Sequence, residues 1–171
     1  MTDTSAPASS RCPGCGITLP ACDGPVHRYM ESSPACWAAY GELLSRDYSD
    51  PRYMAAHRVI VDAYAVQHPG QPSPQSIQSV AIHLIALHAI FECGDSYQEA
   101  MALLRPAADA GGFHWLTPPD SLGELTLLHP LAAQTPEAHY ERSRAWARSV
   151  WDAWAPRHPQ IRAWAARHRR R

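Results

Sequence analysis

At four places in this chain a short side-chain oxygen stands immediately before a proline that opens a stretch reading as helix: Ser33-Pro34, Asp50-Pro51, Ser73-Pro74 and Thr135-Pro136. No other feature restricts the fold as much. An N-cap oxygen accepts from the unpaired amide N–H groups of a helix's first turn. Proline at the first helical position sacrifices nothing, because that N–H has no partner in any case. Each dipeptide therefore predicts a helix start, and helices are expected over 34–48, 51–68, 74–93 and 136–155. His68-Pro69-Gly70 and Gly94 stop the second and third. Another helix starts at Ser96, which has capping-box spacing to Glu99, and is expected to end near Leu104, ahead of Pro106. A last turn or helix is expected over 159–168.

Apolar periodicity assigns these helices their faces. Ile77, Val80, Leu84, Leu87 and Phe91 make the widest stripe, so 74–93 is expected to be the most buried element. Trp37, Tyr40, Leu44 and Tyr48 lie along one side of the first helix. Trp146, Val150, Trp151 and Trp154 lie along the 136–155 helix and read as core. Residues 105–134 carry Gly111-Gly112, Pro118-Pro119 and Gly123 and read as irregular, with short strands expected at 113–116 and 125–128.

Ahead of the helices, Cys12-Pro13-Gly14-Cys15 is followed by Cys22, His27 and Cys36. Two cysteines at C-x2-C spacing can grip one metal ion from a single tight turn. A tetrahedral Zn²⁺ then needs two further soft or borderline ligands from a second arm. Cys36 is the third ligand, and the fourth is His27 or Cys22. His27 is preferred: it follows Pro25 in an extended stretch able to lie beside the knuckle, and Cys36 closes the arm at a helix start. The expected zinc ligands are Cys12, Cys15, His27 and Cys36.

The chain has 171 residues, a net charge of −1 and 46% apolar residues, which suits one folded domain with a small appendage. All 15 basic residues are arginine. Nine of them, against the single acid Asp152, lie in 142–171, and the chain ends Arg167-His168-Arg169-Arg170-Arg171. With a near-neutral pI of about 6.8 for the whole chain and no aromatic–basic interleaving outside the tail, that tail reads as a solvated end, and nucleic acid is not the expected partner. No apolar run approaches the roughly 18 residues of a membrane span. Met1-Thr2-Asp3-Thr4-Ser5 lacks the basic start and apolar run of a secretory leader, so a reducing cytoplasm is the expected compartment. The expected organisation is a disordered tail over 1–10, a zinc knuckle over 11–36, a helical domain over 37–168 and a basic tail over 169–171. The fold class is mainly α: about five helices, the knuckle, and a short irregular or β segment near 111–128.

A second constellation sits in the middle helices. Asp62 lies in Val61-Asp62-Ala63-Tyr64-Ala65-Val66, and His83 in Val80-Ala81-Ile82-His83-Leu84. A polar group in such a run must be paired or bound to something. The Pro69–Pro72 loop is short, so the two helices should run antiparallel and bring Asp62 opposite His83. His68 lies about 9 Å further along at 1.5 Å per residue. Asp62, His68 and His83 are thus candidate catalytic residues, as a general acid–base group or a second metal site, with Tyr64 and Gln67 nearby. The competing reading is a satisfied buried pair that fixes helix register, with His68 capping its helix. His114 and His129 flank the irregular segment, and Cys93 reads as an inert buried thiol. No P-loop, G-x-G-x-x-G, nucleophile elbow or H-E-x-x-H is present.

These segments resemble a family of small bacterial proteins known only as a domain of unknown function. Cys-Pro-Gly-Cys-Gly at 12–16, Gly-Pro-Val-His-Arg-Tyr at 24–29 and Ser-Ser-Pro-Ala-Cys-Trp at 32–37 carry the likeness. So do Val-Asp-Ala-Tyr-Ala-Val-Gln-His-Pro-Gly at 61–70 and Ser-Val-Ala-Ile-His-Leu at 79–84. The resemblance implies that Cys12, Cys15, His27, Cys36, Asp62, His68 and His83 belong to the pattern and that Cys22 does not. It implies no activity. Two functions follow as expectations: a zinc-containing, metal-dependent enzyme acting on a small molecule through the Asp62/His68/His83 pocket, or a zinc-stabilised, non-catalytic binding or adaptor module.

Overall fold

A computed structural model describes residues 8–169. The expected tail over 1–10 falls mostly outside the described residues, and so do positions 170–171 of the basic tail. The first element is a small antiparallel hairpin, β1 (Ser9–Arg11) and β2 (Thr18–Pro20), with Ser10 opposite Leu19. The helices are α1 (Pro34–Ser49), α2 (His57–Gln67), α3 (Pro74–Phe91), α4 (Tyr97–Ala110), the single turn α5 (Leu128–Leu131), α6 (Pro136–Ala153) and α7 (His158–Arg169). Short 3-10 turns at Met54–Ala56 and Ala155–Arg157 lead into α2 and α7. The protein is mainly α, as its sequence indicates.

Three of the four cap–proline signals start helices by the expected bond. Ser33 Oγ accepts from Cys36 N–H at 3.2 Å, Ser73 Oγ from Ser76 N–H at 3.1 Å, and Thr135 Oγ1 from Ala138 N–H at 3.2 Å. The fourth behaves differently. Asp50 accepts from Arg52 N–H at 2.9 Å and pairs with the Arg52 guanidinium at 2.6 Å. That local clasp makes a turn, and α2 does not begin until His57. α4 runs through Pro106 to Ala110, past the expected stop at Leu104. Its buried face continues from Ala100, Leu103 and Leu104 to Ala107, and this packing carries the helix across the missing N–H. Ser96 and Glu99 do form the capping box.

α2 packs on α3 and α6, while α3 also meets α4 and α7. Eight of the eleven α2 residues are buried, against eleven of eighteen in α3, so α2 is the more enclosed helix. Trp146, Trp151, Trp154 and Trp164 are fully buried, and the tryptophan set is core. Within α1 the buried line is Cys36, Tyr40, Leu43 and Asp47, one step round from the expected stripe, and Tyr48 is 68% exposed. Residues 111–127 form no strand; side chains hold their backbone instead. Gln67 Nε2 donates to the carbonyls of Leu122 and Leu125 at 3.0 and 2.8 Å. Ser149 Oγ accepts from the amides of Glu124 and Leu125 at 3.0 and 3.2 Å. Trp146 Nε1 donates to Gln67 Oε1 at 2.9 Å, so one buried amide ties α2, α6 and the irregular segment together.

Candidate metal centre

The C-x2-C turn is built from backbone bonds. Cys12 N–H donates to the Ile17 carbonyl at 2.8 Å and Gly16 N–H to the Cys12 carbonyl at 3.0 Å, with Gly16 at φ +76. That positive φ is a conformation glycine adopts at little cost. The β1–β2 hairpin closes the turn, and the two sulfurs face the start of α1. There the Ser33 cap fixes the backbone of Cys36. From the other side, α2 ends at Gln67. His68 leaves the helix at φ −130, ψ 61, which swings its ring back toward the sulfurs.

The result is a group of four: Cys12, Cys15, Cys36 and His68, whose ligand atoms all lie within 4.8 Å of one another. Cys12, Cys36 and His68 are buried and Cys15 is half-buried. Cys15 Sγ is 3.8 Å from Cys36 Sγ, and Cys36 Sγ is 3.4 Å from His68 Nε2. A tetrahedral zinc with bonds of about 2.3 Å to sulfur and 2.05 Å to nitrogen requires S···S edges of about 3.8 Å and S···N edges of about 3.5 Å. Those two edges match a tetrahedral metal site, and the donor set suits a borderline-soft cation.

Electrostatics favour the same cation. Hydrogen bonds from Cys15 and then Cys36 pull the Cys12 thiol far below its ordinary value. The neighbouring Cys12 raises Cys15 to about 11. Cys12, then Cys15, and burial push Cys36 far upward. Each thiolate formed here raises the cost of the next, and a cation between the three sulfurs would relieve that repulsion. His68 is prepared for ligation. Its Nδ1 lies 2.8 Å from the Tyr64 carbonyl, which can only accept, so Nδ1 carries the hydrogen and Nε2 turns its lone pair to the sulfurs. Tyr64 stacks between His68 (3.9 Å between centroids) and Tyr40 (3.8 Å), and its hydroxyl is 3.7 Å from Cys36 Sγ.

His27, expected as the fourth ligand, stands outside this group. Its Nδ1 accepts from the amides of Tyr29 and Met30 at 3.4 and 3.2 Å, and its ring packs at 5.1 Å from Trp37. Burial lowers its pKa. The extended arm that carries it folds onto itself, and the fourth member of the group is His68, just past the end of α2. Cys22 is exposed and also outside the group, as is Cys93. Cys93 is not the buried thiol expected, because α3 ends at Phe91 and leaves it on the surface.

Asp62 and His83 do meet. Asp62 is fully buried, and its Oδ1 accepts from His83 Nδ1 at 2.7 Å. The Arg58 guanidinium also reaches both oxygens, Oδ1 at 2.9 Å and Oδ2 at 3.2 Å. His68 is not part of that cluster, and Gln67 is committed to the irregular segment. His114 is exposed against Trp164, and His129 sits in α5; neither approaches the centre. Sequence reasoning missed Arg58, whose position four residues before Asp62 on one helix face was the available signal. It also missed Asp47, a fully buried acid on the line of Tyr40 and Leu43, which accepts from His139 at 2.8 Å and His57 at 3.1 Å.

All four residues of the centre, and the Asp62 cluster, lie within one conserved-domain profile that spans residues 10–155. The chain belongs to DUF5946, a family of unknown function. The family's segment begins within β1 and includes β2 and α1 to α6, and α7 lies beyond it. No curated protein and no solved structure matches the chain.

Proposed function

We propose that this protein is a zinc-stabilised helical binding module, in which Cys12, Cys15, Cys36 and His68 hold one Zn²⁺ in a structural role. The observation that carries this reading is the convergence of four ligand atoms from three separate segments within 4.8 Å, with the histidine's tautomer fixed for ligation. Three thiolates and one imidazole fill a tetrahedral shell, which leaves no position for an activated water, and Cys3His sets of this kind are structural. The ion would tie the N-terminal hairpin and α1 to the end of α2. The alternative, a small-molecule enzyme working through Asp62, His68 and His83, is less well supported. His68 faces the sulfurs, and both oxygens of Asp62 are occupied by Arg58 and His83. That arrangement matches a buried pair that sets the register of α2 on α3. A cleft of about 380 Å³ beside the knuckle, lined by His27, Tyr29, Gln71 and Ser76 among others, is one site on this surface that could take a small ligand.

Metal analysis of the purified protein tests the reading. About one zinc per chain is expected, lost in His68→Ala and Cys36→Ser and kept in His27→Ala. Retention of zinc by His68→Ala together with its loss from His27→Ala would overturn the ligand set. Iron in place of zinc would overturn the metal.

A further inference from the structure

A second polar cluster lies at the corner between α1 and α2, outside the metal centre. Asp47 and Tyr48 are consecutive near the end of α1, one turned fully inward and the other 68% exposed. His57, the first residue of α2, reaches over both. Its Nδ1 is 3.1 Å from Asp47 Oδ2, and its Nε2 is 3.2 Å from the Tyr48 hydroxyl. The carboxylate can only accept, so His57 Nδ1 carries the hydrogen and Nε2 offers its lone pair to the Tyr48 O–H. Asp47 cannot rotate away. His139 Nε2, itself fully buried, donates to its other oxygen at 2.8 Å.

We propose that Asp47, His57 and Tyr48 form a proton relay that makes Tyr48 a surface nucleophile, a covalent modification site for activated acyl groups. The order is that of a hydroxyl, imidazole and carboxylate relay, with a phenol as the hydroxyl. The buried acid orients the imidazole, and the imidazole takes the phenol's proton as the oxygen attacks. In the step, Tyr48 Oη forms a bond to the acyl carbon while its proton passes to His57 Nε2. The bond from that carbon to the leaving group breaks, and the leaving group departs with the proton returned by His57. No oxidant, reductant or metal takes part, so this site is independent of the zinc reading.

The probe is N-acetylimidazole, with imidazole as the leaving group, applied to the full-length zinc-loaded protein. Acetylation of individual tyrosines is followed by peptide mass mapping. Tyr97 and Tyr140, 50% and 39% exposed, are internal comparators in the same chain. Positioned general bases accelerate proton transfers about 100-fold or more, so Tyr48 is expected to react at least about 10-fold faster than either comparator at neutral pH. In His57→Gln its rate should fall to theirs. Equal rates for the three tyrosines in the unaltered protein would overturn the relay without any variant. So would an unchanged Tyr48 rate in a His57→Gln protein that keeps its zinc.

Discussion

Gly14 is the position at which a single methyl group tests the candidate metal centre. A Cβ built there would lie 2.4 Å from His68 Cδ2, 2.6 Å from the Glu31 carbonyl oxygen and 3.0 Å from the Gln67 carbonyl oxygen. The nearest of these is about 1 Å inside ordinary van der Waals contact. The backbone of Gly14 does not have the positive φ that excludes alanine, so the conflict is purely steric. Two of the obstacles are main-chain oxygens, and the third is a ring held by its bond to the Tyr64 carbonyl. Either the imidazole or the C-x2-C turn must therefore move by several tenths of an ångström, whereas metal–ligand distances tolerate only about 0.2 Å. Gly14→Ala is expected to cost about 1–3 kcal/mol of stability through overpacking. It should also weaken zinc binding roughly 10- to 100-fold, as loss of a ligand's support does. Competition with a chromophoric chelator reads the affinity, and urea unfolding of the loaded protein reads the stability. Gly24→Ala, where a Cβ meets nothing within 4 Å, is the control and should change neither. Wild-type affinity and an unshifted urea midpoint in Gly14→Ala would refute the packing of His68 against the knuckle.

Two further outcomes concern the scaffold. Gln67→Ala strands the Trp146 indole N–H and two carbonyls of the irregular segment, so a loss of about 3 kcal/mol in urea unfolding is expected, and a loss under about 1 kcal/mol would contradict the clamp. Glu92 pairs with Arg162 at 2.7 Å, and that guanidinium above all holds its carboxyl down at about 2 from an ordinary 4.5. Because the folded value is the lower one, its contribution is present above pH 4.5 and fades as the pH falls toward 2. The melting-temperature difference between wild type and Arg162→Ala should shrink across that window, and a difference that grows on acidification would reject the sign.

Much of the helical layout was legible because its signals are local. The caps at Ser33, Ser73 and Thr135 and the box at Ser96 act within one turn, and each forms the bond that its residue type allows. The failures occur where something beyond the turn decides. At Asp50 a neighbouring arginine competes for the cap oxygen. At Pro106 the apolar face of α4 outweighs one missing donor. Residues 111–127 have no partner strand, and their order comes from Gln67 and Ser149, on helices remote in sequence.

The centre divides the same way. Cys12, Cys15 and Cys36 were readable because a turn and a helix start hold them within one short stretch. The fourth member of the group was not, since sequence spacing favours a nearby residue and His68 is 32 positions beyond Cys36. The signal for His68 was its place at a helix end before Pro69-Gly70, where the chain turns sharply. A Cβ on Gly70 would lie 2.1 Å from the Tyr29 carbonyl oxygen, so this loop is pressed against the knuckle arm, and Gly14 leaves room for the ring from the other side. Two glycines thus mark the approach that joins α2 to the sulfurs. Once His68 turns toward the knuckle, Asp62 needs other partners, and Arg58 one turn back joins His83 in supplying them. Asp47 meets the same requirement with two imidazoles. A fully buried acid in this fold is held by donors from two or more directions. At Asp47 one of those donors, His57, reaches the surface and meets a hydroxyl, and there the packing solution acquires chemistry of its own.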